Sequence, residues 1–323
     1  MIFLNEREVA SLLPIGDVLT ALENAFRAQA AGQIRMPLRA MATTDHGILG
    51  SMPASIAGEQ LSLGAKLVTF FAGNAASGTH THQALVALFD PRSGKPQAIM
   101  DGRYITESRT AATSALATRA LARPDARSVA ILGTGVQARA HIVALGEVMR
   151  IEELRIWGRT QARAADVADF ARRRGLEARA AATPADACRG ADVVCTVTSA
   201  SDPILASDDI GRGTHVNAVG MGDPTARELP AELMARATIV VDSLDGALAE
   251  SANIKLAMRD GKLSAEPDLI LLCDVIAGTA PGRLGRDDVT IFDSLGIAIE
   301  DLACARLVYE RASAGGVGTK LTL

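Results

Sequence analysis

The 323 residues carry a formal net charge of −4 with both signs spread along the chain, so there is no basic field to neutralise a phosphate backbone or an anionic lipid surface. Hydrophobic residues make up 48% and charged residues 22%, a globular balance, but only 3% are aromatic, so Ala, Val, Leu and Ile must fill the core. Nucleic acid and membrane partners are therefore not expected, and at roughly 150 residues per domain the length predicts two domains.

Residues 1–13 include Glu6, Arg7 and Glu8 and lack a long apolar run, which argues against a signal peptide, and no stretch reaches the length of a membrane span; a cytoplasmic protein is expected. Ile15, Val18, Leu19, Leu22 and Phe26 recur at helical spacing, and Gly32 follows as a stop. From 35 to 101 the texture changes to short β-rich runs, 47–52, 63–71, 84–90 and 97–100, divided by turn formers such as Asp45-His46-Gly47 and Pro91-Arg92-Ser93-Gly94. That pattern predicts an antiparallel sheet. A helix rich in Ala and Thr is expected over 107–121, and Pro124 marks a boundary after it.

Beyond Pro124, β-branched runs at 128–132, 154–157, 192–197, 214–219, 238–242 and 289–292 alternate with segments of helical composition such as 161–174. Alternation of this kind predicts a doubly wound parallel sheet of the Rossmann type. A last helix over 296–312 returns to the first domain, so the expected domains are 1–122 with 296–323, an α+β domain on the antiparallel sheet, and 123–295, an α/β domain. The four cysteines, Cys188, Cys195, Cys273 and Cys304, stand far apart in apolar runs and read as small buried residues, not as a disulfide frame or a zinc site. His80 and His82 have no third ligand at zinc-like spacing, so no metal is expected; a structural or substrate-lining role suits them better.

The apolar strand 128–132 runs directly into Gly133-Thr134-Gly135-Val136-Gln137-Ala138 and then into a helix. Glycines at the first and third positions allow a tight turn and close backbone approach, and a helix N-terminus offers unpaired amides and positive potential to a pyrophosphate. The second strand ends in Ile156-Trp157-Gly158-Arg159-Thr160, where an acid would accept bonds from a free ribose 2′-hydroxyl. With no acid there, Arg159 and Thr160 favour a 2′-phosphate, hence NADPH over NADH. Thr198 and Val219 follow the fourth and fifth strands, where open α/β sheets place ligands, and are expected to border adenosine and nicotinamide respectively.

In the first domain Arg39, Lys66 and Arg109 are the notable charges. Lys66 sits in an otherwise apolar strand and Arg109 opens Arg109-Thr110-Ala-Ala-Thr-Ser114. Cations in such settings are either surface residues or binders of an anion, and the residues alone leave both open.

The chain resembles the ornithine cyclodeaminase and mu-crystallin family over nearly its full length. The likeness is carried by Leu49-Gly-Ser-Met-Pro-Ala54, Ala65-Lys-Leu-Val-Thr-Phe70, Met100-Asp-Gly102, Arg109-Thr-Ala-Ala112, Ile131 to Ala138, Ile156-Trp157, Asn217-Ala-Val-Gly220, Arg227-Glu-Leu229 and Ser294-Leu-Gly296. The resemblance implies that Arg39, Lys66 and Arg109 hold a substrate α-carboxylate, that Thr110 helps bind pyrophosphate, that Ser294 lies near the nicotinamide, and that the protein is a homodimer built through the antiparallel domain. Neither Lys66 nor Arg109 is expected to be a core contact.

Departures narrow the reaction. Cyclodeaminases carry an acid just before the Met-Pro pair, where this chain has Gly50-Ser51; they also carry an Asp two residues before a Pro, where Gly222 stands and Asp223 directly precedes Pro224. Ornithine cyclisation is thereby disfavoured. The expected activity is NADPH-dependent reduction of cyclic α-imino acids, Δ1-pyrroline-2-carboxylate or Δ1-piperideine-2-carboxylate, to L-proline or L-pipecolate, with Lys66, Asp223 or a water supplying the proton. An amino-acid dehydrogenase such as alanine dehydrogenase is the nearest alternative, and a non-catalytic small-ligand-binding protein a more distant one.

Overall fold

Alternation along two nine-residue strands builds the first sheet. Strand Ile48–Ile56 buries Gly50, Met52, Ala54 and Ile56 while Leu49 and Pro53 point outward; Ser62–Phe70 pairs with it antiparallel and buries Ser62, Gly64 and Lys66. The computed structural model describes residues 1–220 and 225–322. The chain divides into two compact units, Met1–Arg109 with Gly296–Leu323, and Thr110–Leu295. The sequence placed that junction at 122/123; the chain passes from one unit to the other at 109/110, inside a helix.

In the first unit β1 (Ile2–Leu4), β2 (Ile34–Arg35), β3 (Ala40–Thr43), β4 (Ile48–Ile56), β5 (Ser62–Phe70), β6 (His82–Phe89) and β7 (Pro96–Asp101) form one sheet. Strands β4 to β7 are antiparallel, as their patterning implies, but β1 joins β7 in parallel, and Thr319–Lys320 closes the edge antiparallel to β1. Helices α1 (Glu6–Leu12) and α2 (Ile15–Ala30) lie between β1 and β2 in the chain, and α2 buries Val18, Leu19, Leu22, Ala25 and Phe26. The C-terminal helix, Ala298–Gly315, packs on α2 and on the inner face of β4, β5 and β6. Gly64 permits that approach, since a Cβ there would sit 2.9 Å from Leu302 Cδ1 and 2.5 Å from the Ala87 carbonyl oxygen. The outer face of the same strands exposes Leu49, Leu63, Leu67 and Leu85.

The long helix α3 (Arg103–Leu121) starts four residues before the expected 107 and leads into the second unit. There β8 (Ser128–Leu132), β9 (Glu153–Trp157), β10 (Ala178–Ala180), β11 (Val193–Thr196), β12 (His215–Ala218), β13 (Thr238–Val241), β14 (Leu269–Leu271) and β15 (Thr290–Asp293) form a sheet in the order β10-β9-β8-β11-β12-β15-β13-β14. Every pairing in it is parallel. The order reverses beside β8, whose neighbours are β9 and β11, and helix α4 (Val136–Gly146) starts there. The strands that sequence patterning missed, β1, β2, β3, β10, β14 and Thr319–Lys320, have two to four residues each, too few to display a period. Among the described residues no single helix is long and apolar enough to cross a membrane, and no group of three His, Cys, Asp or Glu is arranged to hold a metal ion. The four cysteines are free and buried.

Candidate active site

The turn after β8 shows what each small residue does. Gly133 has φ +137, and a Cβ there would lie 2.6 Å from the Val197 carbonyl oxygen, so only glycine fits where β8 passes β11. Its amide donates to the Trp157 carbonyl (2.8 Å), tying the turn to β9. Gly135 is different: its φ is −82 and, among the described residues, nothing stands within 4 Å of a would-be Cβ. No contact among the described residues demands glycine there. What the missing Cβ preserves is open space over the first amides of α4, the space a pyrophosphate needs. Ala138, fully buried, lets the helix lie close to the sheet. These residues fit a dinucleotide.

Around this turn, Thr198, Val219 and Ser294 follow the carboxyl ends of β11, β12 and β15. Arg159 and Thr160 follow β9, both exposed; Thr160 is the N-cap of α5 (Gln161–Arg172) without making a side-chain cap bond, and Arg159 forms no ion pair among the described residues. Thr110 is buried in α3.

A residue that sequence reasoning passed over organises these strand ends. The Glu228 carboxylate accepts from the Thr198 amide (2.7 Å), the Thr198 hydroxyl (2.5 Å) and the Gly220 amide (2.8 Å), and a Cβ on Gly220 would collide with it. Burial pushes its pKa up, partly offset by those donors. Asp293, also raised by burial, accepts from Ser251 (2.5 Å) and Asn253 (2.8 Å). With Ala218, Gly220, Glu228 and Ser294, it lines a small cavity at this edge of the sheet.

In the first unit three cations from distant segments converge on residues 296–301. Arg39 Nη2 donates to the Gly296 carbonyl (3.0 Å). Arg109 Nη1 donates to Glu300 Oε2 (2.7 Å), and its Nε lies 3.3 Å from Asp301 Oδ1. Lys66 Nζ lies 2.9 Å from Asp301 Oδ1 and 2.8 Å from Oδ2. Gly296, at φ +73, has to be glycine, since any Cβ would strike the Arg109 guanidinium. The expectation that Lys66 and Arg109 avoid the core fails: they are 2% and 5% exposed, and their partners Glu300 and Asp301 are 0% and 1% exposed. The reason is pairing, which lets cations sit beneath a helix that only apolar groups were expected to meet. Burial is the main force lowering the Lys66 pKa to about 8, with Asp301 opposing it and Arg109 adding to it. Burial raises that of Glu300 against the pull of Arg109.

His82 opens β6 with its ring against Phe70, centroids 4.7 Å apart. Asp223 lies outside the described residues. Glu300 and Asp301 were missed because two acids at a helix start read as a solvated first turn; the available signal was the apolar sequence around them, Ile297-Ala-Ile-Glu-Asp-Leu-Ala-Cys-Ala305.

The open turn at the reversal point of a parallel sheet defines the class, an NAD(P)-dependent oxidoreductase. Within that class the chain belongs to the ornithine cyclodeaminase/mu-crystallin family, whose model matches residues 1–316. It is 40% identical to the ketimine reductase mu-crystallin of Mus musculus, over 97% of this chain and 98% of that protein. Among solved structures it is similar to the Δ1-pyrroline-2-carboxylate reductase of Thermococcus litoralis in complex with NADH and L-proline, with a TM-score of 0.96, 33% identity, and coverage of 99% of this chain and 100% of that one. It is equally similar in fold to an archaeal alanine dehydrogenase dimer with bound NAD, at a TM-score of 0.95, 34% identity, and coverage of 100% and 99%.

Proposed function

We propose that this protein reduces cyclic α-imino acids, Δ1-pyrroline-2-carboxylate and Δ1-piperideine-2-carboxylate, to L-proline and L-pipecolate with NADPH. The observation that carries the reading is the convergence of Arg39, Lys66 and Arg109 on one short segment, an arrangement suited to a small carboxylate, in a chain similar to a reductase solved with L-proline. A forked guanidinium holds a carboxylate bidentately and fixes its plane, and an ammonium beside it adds charge without demanding orientation. Bound in the second unit, the reduced nicotinamide supplies a hydride. Lys66, whose pKa of about 8 leaves it largely protonated at neutral pH yet able to part with a proton, is the donor we assign to the imine nitrogen, with Asp223 and an ordered water as alternatives. Arg159 and Thr160, with no acid beside them, support NADPH over NADH.

We further propose a homodimer through the outer face of β4, β5 and β6. Leu67 stands directly across from Leu85, both are about two-fifths exposed, and Leu49 and Leu63 extend the same apolar face. Oxidative deamination of an amino acid is the second reading, favoured by the likeness to the archaeal alanine dehydrogenase. A screen of NADPH and NADH oxidation with cyclic imino acids, against 2-oxo acids plus ammonia, separates the two. Turnover of imino acids, faster with NADPH, is expected; turnover of 2-oxo acids alone, or equal use of both cofactors, overturns the corresponding part.

A further inference from the structure

We propose that Asp301 is the positioning residue of this site, a single carboxylate that fixes the spacing of Lys66 and Arg109 and keeps Lys66 charged for an anionic substrate. The inference rests on the preceding reading only in taking Lys66 and Arg109 as the carboxylate-binding pair.

Asp301 is suited to this by its reach. It contacts Lys66 through both oxygens, at 2.9 and 2.8 Å, and Arg109 Nε lies 3.3 Å from Oδ1. Glu300, one residue earlier, bonds Arg109 at 2.7 Å and accepts from the Ile297 amide at 3.4 Å, so it braces one cation and its own helix. Both acids sit in the first turn of the C-terminal helix, where the helix dipole favours negative charge and the N-cap, Ile297, contributes no capping side-chain bond. Side chains as flexible as Lys and Arg hold one geometry only when something buried holds them, and here that group is shared.

The groups facing Lys66 come from three elements. From α3, Arg109 repels the ammonium and the Thr106 hydroxyl accepts from it at 3.4 Å; from the C-terminal helix, Asp301 strongly and Glu300 weakly attract it; from β6, the His82 imidazole is held below its ordinary range first by its own burial and then by the Lys66 charge. Burial and Arg109 favour the neutral amine, and Asp301 is the main opposing group. Without the Asp301 charge Lys66 must lose its proton at lower pH, and the site loses a positive charge along with its geometry.

The test compares wild type with Asp301→Asn, which removes the charge and keeps the shape, and Asp301→Glu, which keeps the charge and moves it. Two readouts are taken across pH 6–10: kcat/KM with whichever substrate wild type turns over, cyclic imino acid or 2-oxo acid plus ammonia, and calorimetric binding of L-proline and pyruvate to the protein saturated with oxidised cofactor. The ionisation of the substrate is common to all three proteins and cancels in the comparison. We expect the alkaline limb of Asp301→Asn to move down by about one pH unit or more, with KM raised about tenfold or more, and that of Asp301→Glu to stay near wild type while KM rises. An unmoved limb in Asp301→Asn, or the same shift in both variants, overturns the proposal. If Asp301→Asn does not fold, Asp301→Glu decides: a fixed limb with KM raised at least about fivefold supports the positioning role, and a wild-type KM defeats it. Failure of wild type to reduce cyclic imino acids defeats the substrate reading alone, because the pH dependence of ligand binding in the variants still decides this one.

Discussion

On the proposed reading the two units solve the same problem, holding an anion, with opposite materials. In the second unit the nucleotide turn is made of backbone: amides at the start of α4, exposed because Gly135 leaves the space above them empty. In the first unit the cluster is made of side chains from β5, α3, the C-terminal helix and the segment at Arg39: Lys66 and Arg109 are answered by carboxylates, and Arg39 by the Gly296 carbonyl. A backbone site tolerates any change that keeps its space clear. A side-chain site is coupled, so each substitution disturbs its neighbours and the stability of the unit together.

The largest expected effect lies on the coupled side. Lys66→Met is expected to lower kcat/KM at least ~100-fold by misplacing substrate. It also takes from a buried carboxylate its nearest cation, leaving Arg109 Nε at 3.3 Å as the partner that remains, at a cost in stability of up to about 3–5 kcal/mol. Adding Asp301→Leu to Lys66→Met is expected to restore most of that stability while activity stays lost. Denaturant unfolding beside steady-state kinetics checks this, and a single variant as stable as wild type breaks the contrast.

On the backbone side the two glycines should part company. Gly135→Ala is expected to leave the melting temperature within about 2 °C of wild type, since its Cβ meets nothing among the described residues, while raising the KM for cofactor about tenfold or more. Gly133→Ala, at φ +137 and 2.6 Å from a carbonyl oxygen, is expected to lose stability as well. Equal melting temperatures for the two variants would show that the turn is not strained as described.

Arg159→Ala sharpens the comparison further, because on the proposed reading Arg159 adds a side chain to an otherwise backbone site: the KM for NADPH is expected to rise about tenfold with little change for NADH, read from initial rates. The smallest effect on chemistry is expected from Leu67→Glu, which puts a charge on the outer face of β5. Light scattering should show a shift from dimer to monomer with kcat/KM reduced by no more than about threefold.

What the sequence disclosed follows the same division. The nucleotide turn is contiguous, and strand, glycines and helix stand in order from 128 to 146, so its structure could be read directly. The cations Lys66 and Arg109 were conspicuous as charges in apolar runs, but their partners, some 190 to 235 positions away, were not. The one local sign that Glu300 and Asp301 are a buried pair and not a solvated first turn is the apolar run around them, and it does not say which charges they meet. Glu228 escaped for a related reason, since its partners Thr198 and Gly220 lie on two other strand ends. The expected reach of Asp223 lies outside the described residues.

The return of residues 296–322 to the first unit has a consequence for biosynthesis. At about 5–20 residues per second a ribosome finishes the whole second unit before it makes the helix that covers β4, β5 and β6. Until then Lys66 and Arg109 have no Glu300 or Asp301 to meet, and the Met1 amine has no Leu321 carbonyl. The segment translated first is thus the last able to fold, and the inner face of its sheet waits uncovered in the nascent chain. A stalled chain ending before residue 296 should yield a protease-resistant fragment from the second unit while the first is digested.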